Sequence, residues 1–471
     1  MESKSIVIRS AHDVSETPID LTFVQGLSRQ DILFQSAPAV EAARADRNRV
    51  APQDHSIHDW YRFVLSFPPH LVRHYLQEFG MTGRHRVLDP FCGTGTTLVE
   101  AMKQGVDSVG AEPNPMAWFA SKTKVDWDVD PEQLIDHAQR VAKRVQRQIA
   151  DTRRGSQGEQ SRWKSLPEDA AKLLLKGSIS PLPLHKSLLL VEAIQQGADD
   201  GVKSKELLAF ATALVKDIGN LHFGPEVGVG RQKSDAPVVS SWLERIHAMA
   251  ADLRLHKSRG AAGAMVLQTD ARRLSMEIAA QSVDAVITSP PYPNEKDYTR
   301  TTRLESILLG FIHNREELRS VKQELVRSNT RGVYKSDTDD QLVADHLEIQ
   351  KLSQEIERRR IKLGKTSGFE RMYPRVARLY FGGMTKHLSD IRLLLRPGAR
   401  LAYVVGDQAS YLQVLIRTGQ LLAGIAESLG YEVVRIDLFR TRLSTATRQQ
   451  LREEVVVLRW PGMSRGNRNR A

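Results

Sequence analysis

The sequence predicts an α/β protein, one sheet domain carrying two mainly helical insertions, and three observations carry that expectation. The stretch HRVLDPFCGTGTTLVEAMKQGVDSVGAEPNPMAWFASKTK alternates strand, turn, helix, strand, turn and helix, the pattern of parallel strands joined by helical crossovers. Strand-like runs then resume only after long helical stretches, at AMVLQT and DAVITS and again at ARLAYVVGD. Two further runs, GYEVVRIDLF and EEVVVLRW, close the set.

Seven strands follow from these runs: Arg86 to Asp89, Ser108 to Glu112, Ala264 to Gln268, Ala285 to Ser289, Arg400 to Gly406, Glu432 to Leu438 and Glu454 to Trp460. Before them, Leu71, Val72, Tyr75, Leu76 and Phe79 recur at helical spacing and predict a helix from Pro69 to Phe79. Asp130-Pro131-Glu132 is a helix start, with a capping carboxylate and proline in the first turn. The expected organisation is an N-terminal segment 1–56, sheet segments 57–124, 264–313 and 372–462, helical insertions 125–263 and 314–371, and a basic tail 463–471. RRGSQGEQ, from Arg153, reads as a solvated linker. No internal repeat is visible.

Composition narrows the function classes. A 41% hydrophobic, 26% charged chain of 471 residues is a globular one. Its formal net charge of +11 suits a polyanionic partner, because a basic surface concentrates nucleic acid or anionic lipid around it. A single cysteine excludes an internal disulfide framework and a multi-thiolate zinc site, and no metal is expected. Met1 to Val50 has no apolar core of a secretory signal and no run reaches the roughly 20 apolar residues that span a bilayer. The expectation is a cytoplasmic protein without a membrane partner.

Two turns carry chemistry. In VLDPFCGTGTTLVEA a strand enters a Gly-X-Gly turn and then a helix, whose free N–H groups favour a negative ligand group. Glu112, at the tip of the next strand, is placed to accept from both hydroxyls of a ribose. A nicotinamide-binding turn usually has a third glycine where Leu98 stands, so a nucleoside-like ligand without a pyrophosphate fits better. In ITSPPYPNEKDYTRTTRLE two prolines and a tyrosine interrupt a strand that would otherwise continue.

Asp89-Pro90-Phe91-Cys92-Gly93-Thr94-Gly95-Thr96 resembles the first motif of S-adenosylmethionine-dependent amino-methyltransferases that act on DNA bases, and Thr288-Ser289-Pro290-Pro291-Tyr292 resembles their catalytic motif. The resemblance spans Trp60 to Pro461 but only the sheet elements within it. It implies a Rossmann-like class I methyltransferase sheet of seven strands with the last antiparallel. It further implies that Phe67 and Pro68 lie near the methionine part of S-adenosylmethionine. Asp89, Phe91, Gly93, Gly95, Thr96 and Thr97 are then expected around its amino acid end, Glu112 on the ribose and Asp270 at the adenine amino group. S-adenosylhomocysteine is the implied product.

An exocyclic amino nitrogen is a poor nucleophile because its lone pair is delocalised into the ring. Acceptors on its protons localise that pair, and Ser289 with the Pro290 carbonyl are the expected acceptors, Pro291 adding rigidity and no N–H. Tyr292 offers a face for a flipped base. Cys92 lies in the cofactor turn, where the resemblance gives it a packing role, so methylation of the cytosine ring carbon, which needs a thiolate, is not expected. The serine before Pro290 leans toward cytosine N4 over adenine N6. Asp297 and Arg300 either touch substrate or cap the following helix. Double-stranded DNA is the expected partner, with a cognate restriction endonuclease as a second one. The alternatives are an RNA amino-methyltransferase and a noncatalytic nucleic-acid or cofactor-binding module.

Three features bear on how DNA is held. Arg140, Lys143, Arg144 and Arg147 cluster on one face of a helix whose apolar face carries Ile135, Ala138, Ala142, Val145 and Ile149, and the row either follows phosphates or is a solvated face. Leu342, Ile349, Ile356 and Leu363 recur every seven residues and predict a long helix packed on another within a helical stretch Arg315 to Gly364. GPEVGVGRQKSDAPV, Gly224 to Val238, is a glycine-rich basic loop.

Overall fold

A computed structural model describes residues 51, 54–62, 67–154, 163–197, 199–223, 227–256, 262–294, 296–443, 448 and 450–462. The segment 1–50, the linker residues 155–162 and the tail 463–471 lie outside the described residues.

The main sheet contains β1 (Arg86–Asp89), β2 (Asp107–Ala111), β5 (Ala264–Leu267), β6 (Val283–Thr288), β7 (Leu395–Gly406), β8 (Glu432–Leu443) and β9 (Gln450–Arg459), in the order β5-β2-β1-β6-β7-β9-β8. The remaining strands, β3 (Leu221–Phe223) and β4 (Val227–Val229), form a separate antiparallel hairpin. Five strands from β5 to β7 are parallel, and β9 alone runs against its neighbours β7 and β8. This is the seven-stranded Rossmann-like sheet with its last strand reversed. The chain leaves β1 toward β2 and β5, then returns to β6 on the other side. The carboxyl ends of β1 and β6 therefore flank a topological switch point, where open α/β sheets bind ligands.

Burial explains why these runs are strands. VDAVIT of β6 is buried almost throughout, as a central parallel strand covered on both faces must be. One face carries helix α1 (Pro69–Glu78), whose Leu71, Val72, Tyr75 and Leu76 pack on Val87, Ala285 and Ile287. The other face carries the helices Gly368–Ile391 and Thr418–Ser428, with Phe381, Met384 and Leu388 over Leu88, Val286 and Leu401. Helix α2 (Thr96–Lys103) follows the glycine turn and α3 (Pro115–Lys124) follows β2.

The first insertion has its own core. Helix α4 (Pro131–Arg154) begins where Asp130 Oδ1 accepts from the Glu132 and Gln133 amides at 2.9 and 3.0 Å. It buries Ala138, Ala142 and Val145 against a cluster that includes Phe210 and Trp242, both 0% exposed. Residues of this size contribute roughly 1.5 to 3 kcal/mol each on burial. Within the glycine-rich loop Val227–Val229 form the second strand of the β3–β4 hairpin, and Lys233 donates its ammonium to the carbonyls of Asp217 and Gly219 at 2.6 and 2.7 Å. Hairpin strands of three residues leave too little alternation to be read in advance.

The second insertion departs from the expected continuous helical stretch. Helix Arg315–Glu324 is followed by irregular chain with short turns at Thr330–Gly332 and Asp339–Val343, and only then by Leu347–Lys362. Of the sevenfold repeat, Ile349 and Ile356 are buried against Gly368–Ile391, whereas Leu342 lies in a turn and Leu363 at a helix end, both exposed.

A buried charge network ties the N-terminal residues to α2. Glu100, 0% exposed, accepts from His58 Nε2 and Arg73 Nη1, both at 2.7 Å, and pairs with Lys103 at 3.2 Å, while Arg73 also reaches Asp54. Burial would raise the Glu100 pKa, but the His58 hydrogen bond and the Lys103 charge outweigh it and hold it at about 2. A carboxylate so depressed stabilises the fold fully above its ordinary value of 4.5, a contribution lost as pH falls toward 2. Glu100→Gln is expected to cost about 3 kcal/mol in urea unfolding at neutral pH, the low end for a broken buried pair because Arg73 is a third exposed. The variant's loss of stability between pH 4.5 and 2 should be correspondingly shallower.

Candidate active site

A cleft of about 660 Å³ opens at the carboxyl ends of the strands, at the switch point. The glycine turn after β1 supplies Phe91, Gly93 and Thr96, β2 ends in Glu112, the turn after β5 supplies Asp270, and the turn after β6 supplies Ser289 to Tyr292. Phe67 and Pro68 join them from the start of α1. Asp89, Gly95 and Thr97 stand behind this wall rather than in it.

Each of those three has a definite place. Asp89, fully buried, accepts from Thr288 Oγ1 at 2.6 Å and from the Phe91 amide at 3.2 Å through Oδ1. Its Oδ2 has no partner among the described residues, because Thr97 donates its hydroxyl to the Ile287 carbonyl at 3.2 Å. Burial pushes Asp89 up to about 6 against those hydrogen bonds. Gly95 has a left-handed φ of 86°, and a Cβ there would lie 2.6 Å from Ser121 Oγ, so only glycine lets the turn close.

Glu112 accepts from the Gly93 amide at 3.1 Å and the Asn114 amide at 2.8 Å, one per oxygen, so each oxygen keeps acceptor capacity. Burial raises its pKa to about 7, opposed by those two amides. Asp270 is held by its own neighbour: Arg272 donates Nε and Nη2 to its carboxylate at 2.7 to 3.0 Å and Nη1 to Asp339 at 2.6 Å. The cofactor-side turn is thereby fastened to the second insertion. Behind it, His387 donates Nδ1–H to the Ala271 carbonyl at 2.8 Å and lies edge-on to Phe91.

In the proline turn, Ser289 donates its hydroxyl to the Val404 carbonyl at 3.1 Å and also meets the Tyr292 phenol, so one lone pair of its oxygen is left as an acceptor. The Tyr292 ring lies against Gly406 at the end of β7. Burial, then the Glu453 charge, raises the Tyr292 pKa, and burial pushes Tyr298 up to about 12, so both phenols stay protonated. Burial, with Asp89 and Glu112 adding to it, pushes the Cys92 thiol well above its usual range, which denies it a thiolate.

The cleft also holds residues not anticipated from the sequence: Asn114, Asn294, Lys296, Gln408, Arg440 and Arg442. Arg440 pairs with Glu453 at 2.6 Å and Arg442 donates to the Asp407 carbonyl at 3.0 Å. The signal for these two was the alternation of arginines two apart beyond Leu438, where β8 continues to Leu443. Asp297 caps the following helix through the Thr299 amide and pairs with Lys322 at 2.6 Å. Arg140, Lys143, Arg144 and Arg147 are exposed on α4, and none lines the cleft.

The strand order, the glycine turn with its following acid and the Ser-Pro-Pro-Tyr turn on the adjacent strand define a class I S-adenosylmethionine-dependent methyltransferase. No family model matches the chain. It is similar to the Type II methyltransferase M.BsoBI of Geobacillus stearothermophilus, 25% identical over 87% of this chain and 85% of that protein. M.AvaI of Nostoc sp. is 23% identical over 93% and 90%, and M.MjaII of Methanocaldococcus jannaschii is 32% identical over a short stretch, 15% of this chain and 13% of that one. TrmN from Thermus thermophilus superposes with a TM-score of 0.25 at 12% identity, over 83% of this chain and 48% of that one, too loosely to add to the fold. These likenesses, over most of the chain for M.BsoBI and M.AvaI, support an S-adenosylmethionine-dependent DNA methyltransferase. Among the described residues no helix is long and apolar enough to cross a membrane.

A methyl group at position 406 would sit 3.0 Å from Tyr292 Cε2 and 3.3 Å from Glu453 Cγ, both tighter than ordinary contact. Gly406→Ala is therefore expected to destabilise the fold by about 1 to 3 kcal/mol and to displace the Tyr292 ring. Thermal unfolding checks the first effect, and a fall in methyl-transfer rate at unchanged S-adenosylmethionine affinity checks the second.

Proposed function

We propose that this methyltransferase modifies the exocyclic amino group of a base flipped out of double-stranded DNA, with cytosine N4 favoured over adenine N6. The observation that carries the reading is Ser289: its hydroxyl proton is committed to Val404, which leaves an acceptor at the mouth of the proline turn beside Tyr292. Ser289 and the Pro290 carbonyl accept the amino protons and localise the nitrogen lone pair. They also stabilise the positive charge that grows there as the bond forms. Tyr292 stacks the base, and Pro291 keeps a backbone donor out of the turn. With Cys92 held as a thiol, no covalent adduct to the base ring forms.

S-adenosylmethionine supplies a methyl group on a sulfonium. The residues present fit it: the glycine turn is open to the cleft through Phe91, Gly93 and Thr96, and Glu112 keeps free acceptor capacity for two hydroxyls. We assign Phe67 and Pro68 to its methionine part, Asp89, Phe91, Gly93, Gly95, Thr96 and Thr97 to its amino acid end, Glu112 to the ribose and Asp270 to the adenine. A cognate restriction endonuclease as partner and a cytoplasmic place of work complete the proposal. The domain division with interruptions at 125–263 and 314–371 is proposed on the same footing.

Two experiments test this. Single-turnover methyl transfer to duplex DNA, with mass spectrometry of the product base, should show N4-methylcytosine. Ser289→Ala should slow the step about a hundredfold with little change in either ligand's affinity, and methyl on the ring carbon would sink the mechanism. Calorimetry of S-adenosylmethionine binding should show affinity falling as pH drops through about 7, because protonating Glu112 removes acceptors from the ribose. Glu112→Gln should weaken binding about tenfold or more and abolish that pH dependence, and a pH profile identical to the parent's removes Glu112 from the site.

A further inference from the structure

The second insertion forms a helical hairpin, Leu347–Lys362 and Gly368–Ile391, whose tip projects beyond the carboxyl edge of the sheet, the edge at which the cleft opens. Topology fixes this side. Gly368–Ile391 leads directly into the amino end of β7, so it runs opposite to the strand and its own amino end lies at the carboxyl edge of the sheet. Gly383, packed toward Val326 of the cleft wall, marks the level of the cleft. From there to Gly368 the helix rises roughly 22 Å further, at about 1.5 Å per residue.

The tip combines two properties that a solvated helix end does not need. Lys351, Arg358, Lys362, Lys365 and Arg371 are exposed and Arg359 is partly so, and among the described residues Arg359, Lys362 and Arg371 make no ion pair. Amid these cations, Ile361, Leu363 and Phe369 are 64%, 45% and 56% exposed. The α4 row has charge but no exposed large apolar side chain beside it. Phosphates answer the cations, and an apolar side chain presented among them suits the unstacked bases left where a nucleotide is flipped.

We propose that the tip from Lys351 to Arg371 is a DNA-contacting surface that grips the duplex next to the base held in the cleft, the cations on phosphates and Phe369 against the bases. The proposal rests on the reading of the chain as a duplex DNA methyltransferase. The full-length protein is tested with a duplex oligonucleotide that the parent methylates. Replacing Arg359, Lys362, Lys365 and Arg371 together by Gln should lower DNA affinity about tenfold or more near physiological salt. It should also flatten the salt slope by about 0.9 for each phosphate that the variant no longer neutralises, with S-adenosylmethionine affinity and the rate at saturating DNA unchanged. Phe369→Ala should lower affinity at an unchanged slope. Thr366→Cys provides an accessible thiol, since the sole cysteine Cys92 is buried, and should crosslink by disulfide exchange to a duplex carrying an activated thiol tether beside the target base. Variants that bind like the parent, or a Thr366→Cys protein that does not crosslink, overturn the proposal. A parent that methylates no duplex DNA overturns instead the reading on which it rests.

Discussion

Two hydrogen bonds at the centre of the sheet hold together everything the reaction needs. Thr288 and Asp89 lie 199 residues apart in the chain, yet the Thr288 hydroxyl donates to Asp89 at 2.6 Å, and Thr97 of α2 donates to the Ile287 carbonyl. Both sit at the ends of β1 and β6, which pair as parallel neighbours through Val87 with Ala285 and Leu88 with Val286. The glycine turn begins one residue after Asp89 and the proline turn one residue after Thr288. Fixing these strand ends therefore fixes the distance between the two turns, whatever the insertions between them do. Parallel pairing across such a separation is slow to form, but once the apolar faces are covered it leaves no alternative register for either turn.

Burial sets the electrostatics of that junction. It raises Asp89 and Glu112 toward neutral pH and keeps Cys92, Tyr292 and Tyr298 protonated. Of the cations that line the cleft, Arg440 and Arg442 are engaged by Glu453 and the Asp407 carbonyl, and burial, with the Arg442 charge, lowers the pKa of Lys296 and weakens its hold on a proton. A displacement that builds positive charge at an amino nitrogen is helped by acceptors nearby and hindered by free cations. The arrangement has that sign.

The parts legible in the sequence were those whose local pattern matches their structural role. Gly93-Thr94-Gly95 between a strand and a helix, Glu112 at a strand tip and Pro290-Pro291 ending a strand are each a local conflict or special conformation that only a site resolves. The reversed last strand came from resemblance, since alternation cannot tell β9 from a parallel strand. Arg440 and Arg442 were missed because β8 runs past Leu438 into polar sequence, where half-exposed edge residues carry no apolar signal. Asp270 was visible but its tie to Arg272 and Asp339 was not, because Asp339 lies in an irregular stretch whose place depends on tertiary packing alone. Leu342 and Leu363 misled for the converse reason: their spacing was helical while the chain around them was a turn and a helix end.

The insertions obey a rule that follows from the parallel sheet itself. The first leaves the chain after β2 and the second after β6, both at the carboxyl edge, and the end of β8 that brings Arg440 and Arg442 to the cleft lies on the same edge. Growth at that edge costs the sheet nothing, because its helical crossovers still return to the amino edge with their apolar faces covering both sides. Growth at the opposite edge would lengthen the chain far from the reacting base. A scaffold that forms its ligand cleft where strands end is thus also one whose added segments gather around that cleft. The Arg272 bridge from Asp270 to Asp339 is where the two meet: a residue beside the cofactor turn gripping a residue of the segment that leads into the hairpin.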